Sequence, residues 1–354
     1  MGLNFFGQRA AAPAAVFDIV HADILGFFPD LVRELGGDPA SLLAEVGLRF
    51  DEISGHISRF GYRQHALLLE HAAASLRCPD FGMRLATLQG GSRVFGAIGG
   101  VMKNSKTFGQ GLDYVTKHAY AHNLAARIRL ERHRGSQSVF VAHDILLDRL
   151  PNRSQLMEQL LALGNLNAIE ITGGQARVRR VLFRHHPLSA PATYRRVFGC
   201  EVRFDQQADG VVFSEQDLLC PILAPDPQVY ARVTSFIDAA FTRVSPPMHA
   251  QVRGVILRFI GTEFCNNDAV SAELNLHPRT MHRRLSAEGT SFQTLKDEVR
   301  RDLTLYYLQQ TGLSLTQIAG KLGYAEHSVF TRNCTRWFAV PPSRVRAWRA
   351  ELTG

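Results

Sequence analysis

The sequence predicts an α+β N-terminal domain followed by an all-α C-terminal domain. Three observations lead to this prediction. The chain has 354 residues, more than one hydrophobic core ordinarily serves. Alternating apolar residues, the pattern of β-strands, occur between residues 126 and 213. From Met248 onward the apolar residues have helical spacing, and two segments of that region resemble each other.

The N-terminal domain is predicted to mix helices with short strands. Helical spacing extends from about residue 16 to 48 and breaks at residues 36–39, where Asp38 can cap and Pro39 can begin the next helix. A turn at residues 134–136 joins two strands into a β-hairpin. The remaining elements are expected as helices at 62–76, 95–103, 108–121, 153–171 and 190–197, and as strands at 126–130, 139–141, 178–183, 202–204 and 211–213.

Two proline-containing segments, residues 220–226 and 245–247, enclose one predicted helix from about Gln228 to Arg243. We therefore expect a regulatory domain in residues 1–221, a linker in 222–247 and a C-terminal domain in 248–354 that folds alone.

Composition indicates a globular protein with a polyanionic partner. The net charge is +8, and residues 247–354 hold 14 lysines and arginines against 9 acidic residues. Such an excess favours nucleic acid, although it does not by itself distinguish DNA from RNA or a membrane surface. The five cysteines are scattered without a CxxC pair, which argues against disulfides and a cysteine zinc site. Without a signal peptide or a membrane-spanning segment in the sequence, we expect a cytoplasmic location.

An internal repeat is the most informative feature of the C-terminal domain. VSAELNLHPRTMHRR, from Val270, aligns without gaps with IAGKLGYAEHSVFTR, from Ile318, at an offset of 48 residues. Asn275 and Gly323 occupy the same position, and both residue types tolerate the left-handed conformation of a tight turn. A short helix, such a turn and a second helix make a helix-turn-helix unit.

Local signals set the predicted boundaries of the two units. Thr290 to Gln293 and Ser314 to Gln317 have the pattern of capping boxes. Pro278 fits the first turn of a helix, and Ser291 to Gln310 is expected to form a linking helix. The residues assigned to the core of the units are Met281, Leu285, Val329, Phe330, Trp337 and Phe338.

The outer faces of the two second helices carry side chains that bond bases or phosphates. The alternative is that these are merely polar faces exposed to solvent. That explanation would suffice for a single basic helix, but it is weaker for two helices in matching units. Arg332, Arg336, Arg344 and Arg346 alternate with aromatic residues, a pattern that fits either a solvated helical hairpin or a helix that faces a phosphate backbone. The residues assigned to DNA contact on the two faces are Arg279, Thr280, His282 and Arg283, and His327, Ser328, Thr331 and Arg332.

Residues 265 to 346 resemble the DNA-binding domain of the AraC/XylS family of bacterial transcription regulators. The resemblance rests on HPRTMHRRLSAEGTSFQTLKDEVR, the Leu-Gly-aromatic turn at Leu322, the Phe-Thr-Arg sequence at Phe330, the aromatic pair after Arg336 and the terminal Pro-x-x-x-Arg. It implies that both second helices enter successive major-groove segments on one face of DNA. It also implies that the aromatic residues of residues 322–346 pack the unit, while Arg332, Arg336, Arg344 and Arg346 hold DNA. His277, Asn275, Cys334 and Ala339 depart from the family pattern of Ser, Gly, Phe and Gly.

YRRVFGCEVRFDQQADGVVFSEQDL, residues 194 to 218, is similar to the end of the arabinose-binding-like, non-cupin N-terminal domain of long AraC-type regulators. The resemblance implies a small-molecule effector without identifying it.

Other constellations give weak signals. His118 and His122, four residues apart, form a possible metal pair without an acidic third ligand. The glycine-rich GGSRVFGAIGG lacks the order of a phosphate-binding loop, and no catalytic signature is found. We therefore predict no enzyme activity, no cofactor and no metal.

These observations together predict a sequence-specific, effector-responsive transcription regulator, with activation expected over repression. Its expected partners are promoter DNA, RNA polymerase, an effector and a second copy of the chain, with no membrane partner. The alternatives are a metabolite-binding or catalytic N-terminal domain that uses the DNA module as an anchor, and nonspecific nucleic-acid binding.

Overall fold

The computed structural model describes residues 20–53, 59–118, 123, 125–132, 135, 137–147, 150, 152–240, 247–310 and 313–352. Two hydrophobic clusters organise these residues. The first contains residues from Val20 to Ile237 together with Ala250, and the second contains residues from Met248 to Val345. Strands and helices surround the first cluster, and helices form the described part of the second. The predicted α+β and all-α regions are confirmed.

The first region is mainly helical at its N-terminal end. The side chain of Asp38 accepts hydrogen bonds from the Ala40 and Ser41 amides at 3.1 Å, as its predicted capping role requires. Residues 20–21, predicted to be helical, instead form a strand, because their backbone pairs with residues 59–60. The helices of this region are α1 (Phe28–Glu34), α2 (Pro39–Glu45), α3 (Phe50–Ile53), α4 (Tyr62–Ser75), α5 (Phe81–Gln89), α6 (Gly96–Asn104), α7 (Phe108–His118), α8 (Ser154–Thr172), α9 (Pro191–Phe198), α10 (Glu215–Leu219) and α11 (Pro227–Ala240), with 3-10 turns at Ala22–Leu25 and Ser92–Phe95.

A five-stranded sheet has the strand order β3 (Ala126–Arg132), β4 (Ser138–Ile145), β7 (Gly210–Ser214), β5 (Arg180–Leu182) and β6 (Glu201–Arg203). The predicted hairpin is confirmed, since β3 and β4 pair antiparallel from Ala126 opposite Ile145 to Arg132 opposite Val139. The β5–β6 pair is parallel and the other pairs are antiparallel. The other described strands, β1 (Val20–His21) and β2 (Arg59–Phe60), form a separate two-stranded sheet.

Helix α8 is the central helix of the first region. Most of its side chains are buried. Gly82 lets α5 approach it, because a Cβ atom there would lie 2.1 Å from the Gln155 carbonyl oxygen. The Gly82 amide also donates to the side-chain oxygen of Gln155 at 2.8 Å. The long apolar helix predicted from residue 153 is therefore held against its neighbours by backbone proximity as well as by apolar packing.

The second region is a helical bundle. Ser314 and Gln317 form the predicted capping box. The capping box predicted for Thr290–Gln293 is wrong. The cap is Ser291, one residue after Thr290, and its hydroxyl accepts the Thr294 amide at 3.1 Å. The helices are α12 (Met248–Phe259), α13 (Asn267–Glu273), α14 (Pro278–Ala287), the linking helix α15 (Phe292–Gln310), α16 (Leu315–Lys321), α17 (His327–Phe338) and α18 (Pro342–Leu352).

Candidate nucleic-acid interface

The first helix-turn-helix unit consists of α13 and α14. Asn275 adopts a left-handed conformation, with φ 53°, and the following Leu276 amide donates to the Ser271 carbonyl at 2.9 Å. His277 precedes α14 and caps it, since its Nδ1 accepts the Arg279 amide at 3.2 Å. Two departures from the family pattern, Asn275 and His277, thus still perform the local tasks of turning and capping.

The second unit consists of α16 and α17 and repeats this geometry. Gly323 has φ 72°, and the Tyr324 amide donates to the Ala319 carbonyl at 3.0 Å. Glu326 precedes α17, where no side-chain cap hydrogen bond is formed among the described residues. The turn is thus common to both units, and the start of the second helix differs.

The repeat shifts by one residue after the turn. The N-caps Asn266 and Ser314 lie 48 positions apart. The buried Met281 of α14, however, corresponds to the buried Phe330 of α17, which lies 49 positions later. The gapless alignment is therefore wrong beyond the turn, because the second unit has one additional residue before its helix. In the corrected register Arg283 corresponds directly to Arg332.

The core assignments hold for most of the predicted residues. Met281, Leu285 and Phe330 are fully buried, and Phe338 packs partly buried against the second cluster. The core assignment is wrong for Val329 and Trp337, because each is half-buried and, unlike Phe338, is not packed against the second cluster. Trp337 lies in the last turn of α17, where its ring contacts Phe338 edge-on at 6.4 Å between ring centroids.

The predicted DNA-contact residues lie on the faces of α14 and α17 that point away from the buried residues. Six of them are exposed, whereas Thr280 and Thr331 are half-buried at the edges of those faces. In the described part of the chain, the side chains of Arg279, Arg283 and Arg332 make no hydrogen bond or ion pair with protein. The hydroxyl of Ser328 donates to the Glu326 carboxylate at 3.0 Å. The exposed six are Arg279, His282, Arg283, His327, Ser328 and Arg332.

Each outer face continues for one turn beyond the predicted residues. Ser286 on α14 and Thr335 on α17 are exposed and correspond at an offset of 49. Ser286 lies seven residues after Arg279, and Thr335 lies seven residues after Ser328, so the helical period i, i+3, i+4, i+7 predicts both from the sequence.

Two further arginines of the C-terminal segment contact protein in this structure. Arg346 donates to the Leu313 carbonyl at 2.5 Å, so it stabilises the start of the second unit. Arg336 pairs with Asp297 of the linking helix at 3.2 Å. Arg336 and Arg346 thus each use part of the guanidinium within the protein, and DNA contact by these arginines stays a prediction.

The linking helix α15 holds both units through cationic side chains. Lys296 Nζ donates to the Cys265 carbonyl, before α13, at 2.6 Å. Arg300 donates to the Leu322 and Gly323 carbonyls of the second turn, each at 3.1 Å. Its guanidinium also lies 4.4 Å from the ring centroid of Tyr324. Because one rigid helix contacts both units, it sets the spacing between the two exposed faces.

Glu288 connects the first unit to α12. Its carboxylate accepts the Met248 and His249 amides at 2.7 and 2.8 Å, and it also contacts His249 Nδ1. Burial acts to raise the pKa of Glu288, but these hydrogen bonds outweigh it and hold the pKa below its ordinary value. An ionised carboxylate at the start of α12 is stabilising because the free amides there carry partial positive charge.

The two regions contact each other through α12. Arg253 is buried; its Nε donates to the Leu147 carbonyl of the first region at 3.3 Å, and its Nη2 contacts Asp302 of α15 at 2.6 Å. Arg184 donates to the Leu257 carbonyl at 3.4 Å. At Gly254 an added Cβ atom would lie 2.6 Å from Leu146. The end of β4 and the first helix of the second region are thus in close contact.

The weaker sequence signals have structural explanations. His118 stacks on Tyr114, with ring centroids 3.8 Å apart, and its Nδ1 lies 3.0 Å from the Tyr114 carbonyl; His122 lies outside the described residues. In the glycine-rich segment, Ser92 bonds the carboxylate of Glu170. The described residues contain no group of three or more metal-binding side chains. None of their helices is long and apolar enough to cross a bilayer.

Comparison with known proteins agrees with this architecture. The arabinose-binding N-terminal domain of AraC transcription regulators matches residues 36–222, and a helix-turn-helix domain family matches residues 270–347. The HTH-type transcriptional regulator VirS of Mycobacterium tuberculosis (H37Rv) is 33% identical over 93% of this chain and 97% of its own. The ornithine utilization regulator of Pseudomonas aeruginosa is 25% identical over 90% and 93%.

Among solved structures, the transcriptional regulator CdpR from Pseudomonas aeruginosa is 19% identical and covers 89% of this chain and 96% of its own, with a TM-score of 0.42. The N-terminal family match and the relative of near-equal length identify the chain as a member of the AraC family of helix-turn-helix transcription regulators.

Proposed function

We propose that the protein is a sequence-specific, effector-responsive transcription activator that reads two adjacent segments of a promoter with α14 and α17. The observation that carries the proposal is the pair Arg283 and Arg332. Both guanidiniums are exposed, lack a protein partner in the described part of the chain and occupy the same position of the two units. Arginine is the side chain that most often reads guanine, through two hydrogen bonds in the major groove.

The remaining face residues suit the same task. Arg279 starts the first face at the helix N-terminus, where the amide dipoles also favour a phosphate. His282 and Ser286 extend the first face, and Thr335 extends the second. The face of each helix spans about two turns, which matches the three or four side chains that a recognition helix presents to base edges.

The test is binding of the full chain to its own promoter and to scrambled DNA of equal length, measured by fluorescence anisotropy. Arg283→Ala and Arg332→Ala should each weaken promoter binding by about 1–3 kcal/mol, with little effect on scrambled DNA. Arg195→Ala is the matched control, because Arg195 is an exposed arginine on α9 in the other region. Equal losses on both DNAs would assign the arginines to phosphate contact and would contradict base reading.

We also propose that residues 1–221 sense the effector and residues 248–354 bind DNA, with residues 222–247 between them. Support comes from β4, which belongs to the sheet of the first region and ends at Ile145. The next two residues, Leu146 and Leu147, lie against Gly254 and Arg253 of α12. A shift of β4 would act directly on these contacts. A 248–354 fragment should bind promoter DNA with strong salt dependence and without effector response. A 248–354 fragment whose DNA binding still responded to the effector would contradict the assignment of effector sensing to residues 1–221.

Activation, contact with RNA polymerase and dimerisation rest on the family resemblance. Transcription from the promoter with purified polymerase should rise when the protein and effector are added. Analytical ultracentrifugation of the full chain should show a dimer. Because a dimer links two DNA-binding regions, the full chain should bind promoter DNA more tightly than the 248–354 fragment. Transcription that falls on addition of the protein would identify a repressor instead. We propose no catalytic activity, and turnover of a bound small molecule by the N-terminal region would contradict this.

A further inference from the structure

The first region contains a cavity of about 120 Å³, partly open to solvent, between the sheet and helices α4, α6, α7 and α8. Its walls are mainly aliphatic and aromatic side chains, such as Ile98, Leu112, Val141, Leu161 and Phe213. A dry cavity of about 150 Å³ lined by such side chains accepts benzene. The space in this protein therefore suits one six-membered ring or a chain of about the same size.

Gly164 keeps the cavity open. It lies inside the nineteen-residue helix α8 and lines the cavity. A Cβ atom added there would meet no atom within 4 Å. By contrast, a Cβ atom at Gly82 or Gly99 would lie 2.1 Å from a carbonyl oxygen, so close packing explains those glycines. Glycine within a helix is destabilising relative to alanine. At Gly164 this cost is not explained by close packing, and the missing side chain leaves volume in the cavity.

Three residues that line the cavity carry side-chain atoms without a hydrogen-bond partner in the described part of the chain: His65 Nδ1, His143 Nε2 and Asn167 Oδ1. His65 and Asn167 are almost completely buried. Buried polar atoms usually have a partner, so three unpartnered ones around one space suggest that a ligand supplies it.

The hydrogen bonds of Gln159 define what His65 offers. Gln159 donates its amide to the Gln89 side-chain oxygen at 2.9 Å and to the Ile24 carbonyl at 3.2 Å. Its own side-chain oxygen is therefore an acceptor, and His65 Nε2, 3.0 Å away, must donate to it. In the neutral ring Nδ1 is then an acceptor, as is Oδ1 of Asn167. The ligand that satisfies these atoms brings a hydrogen-bond donor.

The cavity also excludes charge. No lysine, arginine, aspartate or glutamate is among its described lining residues. Burial lowers the pKa of His65 to about 4 and also lowers the pKa of His143, so both rings are neutral at physiological pH. A charged ligand would lose its hydration without gaining a counterion. A sugar would bury several hydroxyls against mainly apolar walls, whose described polar side chains are Tyr62, His65, Asn123, His143 and Asn167.

We propose that this cavity binds a small, uncharged, largely apolar ligand with one hydroxyl or amine donor, of the size and chemistry of a phenol. The inference deepens the proposed function by naming the class of effector. Binding to the cavity is measured without DNA, so its failure is distinguishable from a failure of promoter recognition.

The test is calorimetric titration of the full chain with phenol, benzoate and L-arabinose. Phenol should bind at least tenfold more tightly than the other two. Gly164→Leu should lower phenol affinity at least tenfold by filling the cavity. Gly320→Leu is the matched control and should leave phenol affinity unchanged, because its added side chain also meets open space, on the exposed face of α16.

A second variant tests the polar end of the ligand. Asn167→Leu should reduce the preference for phenol over benzene severalfold while benzene still binds. Three results would overturn the proposal: tighter binding of L-arabinose than of phenol, phenol binding that is the same in Gly164→Leu and the parent protein, or an unchanged phenol preference in Asn167→Leu. Gly164→Ala, which adds only one methyl group, should fold at least as stably as the parent and lose less affinity than Gly164→Leu.

Discussion

Replacement of Arg253 by Met tests the buried ion pair between α12 and α15, whose arginine also bonds the Leu147 carbonyl of the first region. The side chains of Arg253 and Asp302 are 5% and 14% exposed, and their closest atoms lie 2.6 Å apart. Met retains much of the volume of Arg but removes the charge, which leaves the Asp302 carboxylate buried without its principal cation. Removing one partner of a buried pair costs about 3–5 kcal/mol.

The lower end of this range applies, because Arg301 Nη2 lies 3.4 Å from the other oxygen of Asp302 and retains some of the attraction. The loss of the bond to the Leu147 carbonyl acts in the opposite direction. We therefore expect a decrease of about 3 kcal/mol in the free energy of unfolding. Equilibrium urea denaturation of the full chain, followed by circular dichroism, measures this decrease.

Two further variants separate the ion pair from general damage. Arg253→Met combined with Asp302→Leu should recover most of the loss, since an apolar pair then replaces a buried carboxylate that has lost its nearest cation. Arg301→Met should cost no more than about 1 kcal/mol, because its pair is more exposed. Our reasoning would be refuted if Arg253→Met unfolded at the same urea concentration as Arg301→Met, or if the double variant were no more stable than the single one.

Three other predictions concern pH, a helix end and the core. Burial raises the pKa of Glu158, which accepts the Tyr194 hydroxyl at 2.6 Å, well above its ordinary value of 4.5. The unfolded chain releases this proton above about pH 4.5, so the contribution of Glu158 to the free energy of unfolding decreases as pH rises. The urea midpoint should therefore decrease less between pH 5 and 8 in Glu158→Gln than in the parent protein. Ala339 ends α17 with φ 60°, a conformation that costs an L-residue about 1 kcal/mol, so Ala339→Gly should raise the melting temperature, and a decrease would contradict the strain. Trp337→Ala should lower the free energy of unfolding by roughly 1–2 kcal/mol, against about 3–5 kcal/mol for Phe330→Ala. Equal decreases in urea denaturation would show that Trp337 is a core residue after all.

Local features of the C-terminal region could be predicted from sequence because they depend on neighbouring residues. The turn at Asn275 and Gly323, the box at Ser314 and the period of the linking helix each involve residues within one or two helical turns. Hydrogen-bonding preferences and helical periodicity determine such features wherever the segment lies in the fold. The same reasoning located the outer faces of α14 and α17.

The tertiary structure decided what depends on distant residues. Phe330 corresponds to Met281 because the helical bundle buries Phe330 and leaves Val329 half-exposed. This correspondence aligns Arg283 with Arg332. His65 and Gln159 are separated by 94 positions, so neither the acceptor at His65 nor the cavity beside it has a local signal. Burial, the volume left between helices and strands, and the partner of a buried charge are properties of the assembled chain. A sequence pattern specifies which face of an element is apolar, and packing alone determines what that face meets.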